Sequence, residues 1–292
     1  MHFLKQISKQ NWHQVKAKEL LDFGKAELAT EEISPVDAEL ILAHFLGIDR
    51  MELHTKAIDI EDELVIDSFK NAIAERLTGK PTQYITGLAP FRYLDYEVGP
   101  GVLIPRPETE ILVDEVLHQL SKFSDPVSIV DLGAGAGGIS ISLATETHGK
   151  KEVHVIAVEK SAEALVWLHK NITRHEVNVR VVEESVETAL IGVKCDVVVA
   201  NPPYLPDEQE VPNELKFEPD MALFGGKGDG MMAPREFIKA ASRLLKSGGL
   251  LALEHNEEQG LLIAQELSED FEGIATYQDL NERPRFTIGR RK

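Results

Sequence analysis

A single cysteine, Cys195, stands in the whole sequence of 292 residues, and it lies in an apolar run. One thiol can form neither a disulfide framework nor a thiolate metal cluster, so the chain fits a reducing, cytoplasmic setting. The first residues, MHFLKQISKQNWHQ, are too polar for a secretory signal peptide. No apolar run approaches the roughly 20 residues that cross a bilayer. We therefore expect a cytoplasmic protein with no membrane partner.

Positive charge is scarce, because 31 lysines and arginines face 49 aspartates and glutamates, for a net charge of −18. Such a chain has no general attraction for phosphate backbones. We expect no direct, stable binding of nucleic acid, although a local basic patch stays open. The ten histidines are scattered without the paired spacing of metal ligands, so no metal site is expected.

Three segments differ in their hydrophobic pattern. Residues 1–80 read as helices, one of them capped by Ser34 and stopped by Gly47. The apolar residues of that helix are expected to share one face: Val36, Leu40, Ile41 and Phe45. Residues 81–107 resemble a hairpin linker, and residues 108–292 alternate strands with helices. This alternation predicts an α/β fold with a mainly parallel sheet. Two late strands, ATYQDL and RFTIGRR, are expected to close the sheet, and one edge could be antiparallel.

A glycine-rich turn, VDLGAGAGGISISLA, leaves a strand at Asp131 and enters a helix. Small residues let the backbone approach a ligand closely, and the helix N-terminus offers unpaired N–H groups. Gly133, Gly135 and Gly138 also satisfy G-x-G-x-x-G, with Glu159 after the next strand to hold a ribose. A dinucleotide site is therefore an alternative, and a plain packing corner is the simplest interpretation.

Two features favour S-adenosylmethionine over a dinucleotide. The carboxylate of Asp131, two residues before the first glycine, could engage the amino-acid end of this cofactor directly or through water, and it would repel a pyrophosphate. In addition, Asn201-Pro202-Pro203-Tyr204 follows another strand of the same sheet. Ligands of open α/β sheets bind at the carboxyl ends of the strands, so the two loops should face each other.

The Asn201–Tyr204 corner has a composition that suits a planar amine. A rigid turn is the simpler interpretation, but proline lacks an N–H, so the backbone offers acceptors without competing donors. With the Asn201 carbonyl, these could accept both hydrogens of a conjugated –NH₂ group, while Tyr204 offers a stacking face near a sulfonium. We predict catalytic roles for Asn201, Pro202 and Tyr204, with Pro203 also contacting the substrate. Adenine, cytosine, guanine and a glutamine amide all fit.

Longer segments resemble one family. They occur in order as PTQYITGLAPFRYLDYEVGPGVLIPRPETEILVDEVL, DLGAGAGGISISLA, VVVANPPYLP, FEPDMALFGGKGDGM, GGLLALEHNEEQG and RPRFTIGRR. Over roughly residues 75–291 the chain resembles the peptide chain release factor glutamine methyltransferases (HemK/PrmC family). The resemblance implies a class I S-adenosylmethionine-dependent methyltransferase (Rossmann-like) domain over residues 108–292. It also implies a small all-α N-terminal domain that recognises the substrate. The implied reaction methylates the side-chain amide of the glutamine in the Gly-Gly-Gln motif of release factors.

The same resemblance implies roles for individual residues. The methionine part of the cofactor would lie against Gly133, Ala134, Gly135, Ala136 and Gly137. Glu159 would hold the ribose, the loop at Ser185–Val186 would border the adenine, and Asn201 would contact both cofactor and substrate. Phe91 and the turn Arg106-Pro107-Glu108-Thr109 would wall the substrate pocket. The family usually has Asp where Ser185 stands, and GGKGDGM is one residue longer than the usual loop.

Three other functions stay open. A methyltransferase acting on the exocyclic amine of adenine or guanine in nucleic acid would need a basic face or a recognition domain. A nicotinamide-dependent dehydrogenase would leave the Asn-Pro-Pro-Tyr corner unexplained. A non-catalytic cofactor-binding adaptor would not need an intact clamp.

Overall fold

The computed structural model describes residues 15–292; the polar N-terminal stretch used above to argue against a signal peptide lies outside them. The chain divides into two compact units. The first comprises the chain up to Thr86 together with Asn213–Phe217, and the second comprises Gly87–Pro212 and Glu218–Lys292.

The first unit is helical. Its helices are α1 (Ala17–Leu28), α2 (Pro35–Leu46), α3 (Glu52–Thr55), α4 (Glu63–Leu77) and α5 (Thr82–Thr86), with 3₁₀ turns at Ala29–Glu31 and Leu215–Phe217. Two short strands, β1 (Val15–Lys16) and β2 (Asp59–Ile60), pair antiparallel. The caps expected for α2 are present, because the Ser34 hydroxyl accepts from Val36 N at 3.3 Å and Gly47 adopts a left-handed φ of 63°.

The buried face of α2 matches the expected one only in part. Ile41 is buried and Phe45 packs against the same core as expected, but Ala38 and Leu42 are buried where Val36 and Leu40 are 38% and 40% exposed. The helix packs against both α1 and α4, and small residues allow the close approach. A Cβ on Gly24 of α1, for example, would lie 3.2 Å from Ala38 Cβ. Apolar residue type alone therefore does not decide which face of α2 is buried; the volume of the side chains where the three helices meet decides it as well.

The second unit contains a seven-stranded sheet. Its strands are β5 (Val127–Leu132), β6 (Val153–Val158), β7 (Val179–Val182), β8 (Cys195–Ala200), β11 (Leu245–Glu254), β12 (Phe271–Gln278) and β13 (Pro284–Arg291). They are ordered β12-β13-β11-β8-β5-β6-β7; the strands from β11 to β7 are parallel, and β13 is antiparallel to both β11 and β12. The mainly parallel sheet predicted from the sequence is thus confirmed, and its antiparallel edge is β12–β13.

Helices and small ladders complete this unit. The helices are α6 (Pro107–Leu120), α7 (Gly138–Thr147), α8 (Ala162–Arg174), α9 (Asp220–Leu223), α10 (Met232–Leu244) and α11 (Gly260–Leu267). A hairpin joins β3 (Leu88–Phe91) to β4 (Leu94–Glu97), and β9 (Leu205–Pro206) pairs in parallel with β10 (Phe224–Gly226). One apolar core packs α10 and α11 against the sheet.

The strand order reverses between β5 and β8, and this reversal positions the site. From β5 the chain proceeds through β6 to β7 on one side, whereas β8 is followed by β11 on the other. By register, Leu132 pairs with Ala200, and Ala200 pairs with Leu253. The glycine turn, the Asn201–Tyr204 corner and Glu254 therefore leave three neighbouring strands at the same edge, where open α/β sheets bind ligands.

Candidate active site

A cavity of about 530 Å³ opens at this edge of the sheet, a size usual for small-molecule and cofactor sites. The predicted site residues that line it are Phe91, Arg106, Gly133, Ala134, Gly135, Ala136, Glu159, Val186, Asn201 and Pro203. The other predicted site residues lie outside the lining: Asp131, Gly137, Pro202 and Tyr204. The structure thus brings the glycine turn, the end of β6 and the corner around one space.

The glycine turn needs its glycines for two reasons. Gly133, Gly135 and Gly137 have φ values of 71°, 55° and 90°, a region that side chains disfavour. Gly135 faces the cavity, and a Cβ there would have open space before it, with Val102 3.9 Å away. A Cβ on Gly137 would instead lie 2.7 Å from Ile141 Cδ1. The turn therefore forms a bare backbone cradle on one side and packs tightly on α7 on the other.

Glu159 joins the glycine turn to the end of β6. Its Oε2 accepts from Gly135 N at 2.9 Å, and its Oε1 accepts from Lys160 N and Ser161 N, both at 2.8 Å. The residue is only 8% exposed, yet it lines the cavity. A carboxylate has about four acceptor positions, so an acceptor remains for a ligand hydroxyl.

Asp131 is fully enclosed beneath the turn. Its Oδ2 accepts from Ser140 N at 3.0 Å, and its Oδ1 has no hydrogen-bond partner within residues 15–292. Burial raises the pKa of this carboxyl to about 7, against the opposing hydrogen bonds from Ser140. The carboxyl therefore ties the strand end to the first turn of α7. A contact with the amino-acid end of a cofactor stays a prediction.

Asn201 is oriented by a hydrogen-bond chain that starts in the cavity wall, at Asn201 and Thr109, and ends at Glu254 outside the lining. Its Nδ2 donates to Thr109 Oγ1 at 3.2 Å, and Thr109 Oγ1 donates to Glu254 Oε2 at 2.7 Å. With the Nδ2 edge of the amide held by Thr109, the Oδ1 edge is left for the cavity that Asn201 lines.

Tyr204, at the other end of the corner, is held at two points of its backbone. Its N–H donates to Leu223 O at 3.1 Å, and its carbonyl accepts from Gln259 Nε2 at 3.0 Å. Burial raises the pKa of the phenol, so it stays neutral at physiological pH. The ring is thus anchored beside the cavity, and its use as a stacking face stays a prediction.

The chain resembles known proteins along most of its length. The PrmC N-terminal domain family matches residues 19–87, and the methyltransferase small domain family matches residues 108–216. The release factor glutamine methyltransferase of Xylella fastidiosa (strain Temecula1) is 38% identical over 266 residues, which are 90% of this chain and 95% of that protein. The Bifidobacterium longum protein of the same name is 36% identical over 271 residues, 86% of this chain and 90% of that one. This chain belongs to the release factor glutamine methyltransferase family.

Membership confirms the family expected from the sequence motifs, and the fold class is confirmed as well. The Thermus thermophilus 16S rRNA N2 G1207 methyltransferase, solved with AdoMet and guanosine, superimposes with a TM-score of 0.51 at 19% identity. The match covers 70% of this chain and 50% of that one, and it shows a common fold alone. Within residues 15–292, no helix has both the length and the apolar character to cross a membrane.

In this member of the release factor glutamine methyltransferase family, Arg106 is paired rather than free. Its guanidinium forms an ion pair with Glu218 Oε1, while Glu218 Oε2 accepts from Ile104 N at 2.9 Å. The Glu218 side chain is fully buried, so it fixes the segment that enters α6. Phe91 is also buried, edge-to-face with Tyr96, and packs near the first residue of α7. Both predicted wall residues therefore shape the cavity from fixed positions.

The loop after β7 does not present Ser185 to the cavity. The Ser185 hydroxyl lies 3.2 Å from that of Thr188, and the cavity is lined instead by Glu184, Val186 and Glu187. Sequence reasoning singled out Val186 and missed the two carboxylates beside it. The run of acidic residues directly after an apolar strand was the available signal.

Two further residues were missed: Glu254 and Gln259. Thr109, which the sequence placed in the wall of the pocket, does line the cavity, and Glu254 ends an apolar strand adjacent to the corner strand. A charged residue in such a position, 1% exposed, is uncommon and is a detectable signal. Gln259 has no comparable signal, because its contacts with Tyr204 O and Asp229 O depend on loop geometry.

Proposed function

We propose that this protein transfers a methyl group from S-adenosylmethionine to the side-chain amide nitrogen of the glutamine in the Gly-Gly-Gln motif of peptide chain release factors. The observation that carries the proposal is the Asn201 amide. Its nitrogen is held by Thr109, so its carbonyl is left for the cavity that the glycine cradle also lines. Membership in the release factor glutamine methyltransferase family supports the same substrate.

The cavity residues fit the cofactor. The bare backbone at Gly135 admits a ligand closely, Glu159 offers a carboxylate to hydroxyl groups, and Val186 adds an apolar wall. When bound, the cofactor supplies an electrophilic methyl group on a sulfonium. We assign Asn201 to the border between cofactor and substrate.

The substrate amide is a poor nucleophile because its nitrogen lone pair is delocalised. Two acceptors on its N–H bonds would concentrate electron density on nitrogen and aim the lone pair at the methyl group. Tyr204 O already accepts from Gln259 Nε2, so it is not available to the substrate. We assign the clamp to Asn201 Oδ1 and to the carbonyl of Pro202, which lies between two residues of the cavity lining, Asn201 and Pro203. Preorganised acceptors of this kind lower the barrier without a strong base, because the N-methylated cation releases its proton readily.

We assign partner recognition to residues 1–80 and methyl transfer to the domain over residues 108–292, with residues 81–107 as linker. Support comes from the absence of any chemical motif before residue 81 and from the cavity lying within the second compact unit. The single Cys195, buried in β8, agrees with a reducing, cytoplasmic setting. Direct binding of nucleic acid is not part of the proposal.

The test compares Asn201→Ala and Asn201→Asp with the exposed control Asn281→Ala. Turnover is measured with labelled S-adenosylmethionine on a purified release factor, and the modified residue is mapped. Removing one preorganised polar contact at a reacting centre commonly costs about 10²–10³ in rate, so Asn201→Ala should lose about that much. Asn201→Asp keeps an acceptor and the shape but loses the donor to Thr109, so it should be impaired less than Asn201→Ala.

An adenine-containing DNA duplex serves as the second substrate in the same assay. Wild-type turnover in Asn201→Ala would refute the clamp. Methylation of the duplex and not of the release factor would assign the enzyme to the nucleic-acid methyltransferases instead.

A further inference from the structure

One buried carboxylate is connected to Asn201, the first residue of the Asn201–Tyr204 corner. Glu254 is 1% exposed and ends β11, directly after Leu253, the register partner of Ala200. It accepts from Thr109 Oγ1 at 2.7 Å. Through Thr109 it reaches Asn201 Nδ2. Glu254 itself does not line the cavity.

The chemistry of this chain gives it a direction. An ionised carboxylate can only accept hydrogen bonds, so the Thr109 hydroxyl must donate to Glu254. With its single proton used, the Thr109 oxygen can only accept from the next group. Asn201 must therefore present its –NH₂ edge to Thr109 and its carbonyl edge to the cavity. A neutral group at position 254 could donate to Thr109, and the reversed chain would turn the –NH₂ edge of Asn201 towards the substrate.

We infer that Glu254 and Thr109 are positioning residues that fix the orientation of the Asn201 amide, and that this orientation makes the site select an amide over a carboxylate on the acceptor side chain. The inference rests on the proposed function. A carbonyl edge attracts the –NH₂ of glutamine and repels a glutamate carboxylate. A flipped Asn201 amide would reverse both preferences. Its –NH₂ would donate to a glutamate carboxylate, whereas two hydrogen-bond donors would face each other if the substrate presented a glutamine –NH₂.

The surroundings of Glu254 make the orientation sensitive to pH. Glu108 from α6 disfavours its ionisation, whereas Arg285 from β13, held by Asp279, and the Tyr204 hydroxyl favour it. Burial is the largest influence and raises the pKa of Glu254 to about 7. Directly after the strand, the neighbouring His255 has both ring nitrogens engaged, by Asn256 O and by Thr287 Oγ1, and burial lowers its pKa. Amide selection should therefore weaken as the pH falls below about 7.

The experiment measures affinity for two forms of one release factor, wild type and a form whose acceptor glutamine is replaced by glutamate. The enzyme is loaded with S-adenosylhomocysteine, so no turnover occurs, and binding is followed by isothermal titration at pH 8. The variants are Glu254→Gln and Thr109→Val, with Thr109→Ser as the conservative variant that keeps the hydroxyl. Thr147→Val is the matched control, because its buried hydroxyl bonds Leu143 O in α7, away from the corner.

We expect the wild type and Thr147→Val to prefer the glutamine form. In Glu254→Gln and Thr109→Val this preference should fall about tenfold, and Thr109→Ser should retain most of it. In the wild type the preference should also decline between pH 8 and pH 6, and in Glu254→Gln it should not change with pH. Equal weakening of both forms would show a merely structural role and overturn the inference, as would an unchanged preference in both Glu254→Gln and Thr109→Val. If the wild type neither methylated the release factor nor preferred its glutamine form, the proposed function itself would fail.

Discussion

The tightest steric constraint on the corner comes from Gly225 in β10. A Cβ at this position would lie 2.1 Å from Gly230 O, 2.6 Å from Pro203 O and 2.9 Å from Tyr204 Cα. All three atoms belong to the backbone, so no rotation of a side chain can relieve the overlap. In Gly225→Ala the corner and the loop that faces it must therefore separate by about 1 Å, and a misplacement of that size can cost about 10² in rate.

The expected result is selective. Turnover on a release factor should fall about 100-fold, because the acceptors of the corner no longer meet the substrate amide in the productive geometry. Affinity for S-adenosylhomocysteine should change by no more than about twofold, since the glycine turn and Glu159 leave other strands. The free energy of unfolding should fall by about 1–3 kcal/mol, as is usual for overpacking. Single-turnover kinetics, isothermal titration and urea unfolding measure the three quantities.

Gly228→Ala, in the loop directly after β10, is the matched control. Gly228 has a φ of 71° and open space at its Cβ, so the substitution strains the backbone by about 1–2 kcal/mol without touching the corner. Its turnover should stay near that of the wild type. The reasoning would be refuted if Gly225→Ala turned over normally, or if Gly228→Ala lost as much activity as Gly225→Ala.

The remaining predictions address the cofactor, the helical segment and pH. Glu159→Ala should weaken cofactor binding by about 1.5–3 kcal/mol in isothermal titration, because ligand hydroxyls lose a charged acceptor; an unchanged affinity would contradict the assignment. Deleting residues 1–80 should reduce activity on an intact release factor while cofactor affinity, which also reports folding, stays nearly unchanged. If the truncated protein methylated the intact factor as fast as the full chain does, the recognition role of residues 1–80 would be wrong. Burial raises the pKa of Glu254, so the folded state binds this proton more tightly than the unfolded state does. The resulting contribution to the free energy of unfolding is complete below about pH 4.5 and is lost as the pH rises through about 7. Urea unfolding of the wild type and Glu254→Gln at pH 5.5 and pH 8 should show this loss in the wild type and a smaller loss in the variant.

Sequence patterns predicted what depends on local chemistry. Apolar runs predicted the strands, the glycine spacing predicted the turn, and the residue types of Asn201–Tyr204 indicated a corner rich in hydrogen-bond acceptors. The supporting contacts could not be predicted, because they join residues far apart in the chain: Thr109 and Glu254 are separated by 145 positions and meet only through the strand register. The buried face of α2 was also misjudged in part, since volume at a contact between helices is a tertiary property. Local chemistry identified the groups of the site, and the fold determined their orientation.

The two demands on Glu254 oppose each other. The corner requires the ionised form, which accepts from Thr109 and so fixes the Asn201 amide, but burial disfavours that form. A rise in pKa from the usual 4.5 to about 7 corresponds to roughly 3 kcal/mol of folding free energy lost at alkaline pH, by the conversion of about 1.4 kcal/mol per unit. Activity should therefore rise with pH over the range in which stability falls. Glu254→Gln separates the two effects, because it should unfold at higher urea than the wild type at pH 8 while it turns over more slowly. A variant that was both less stable and less active at pH 8 would show that the ionised carboxylate holds the fold together, and the opposition would not exist.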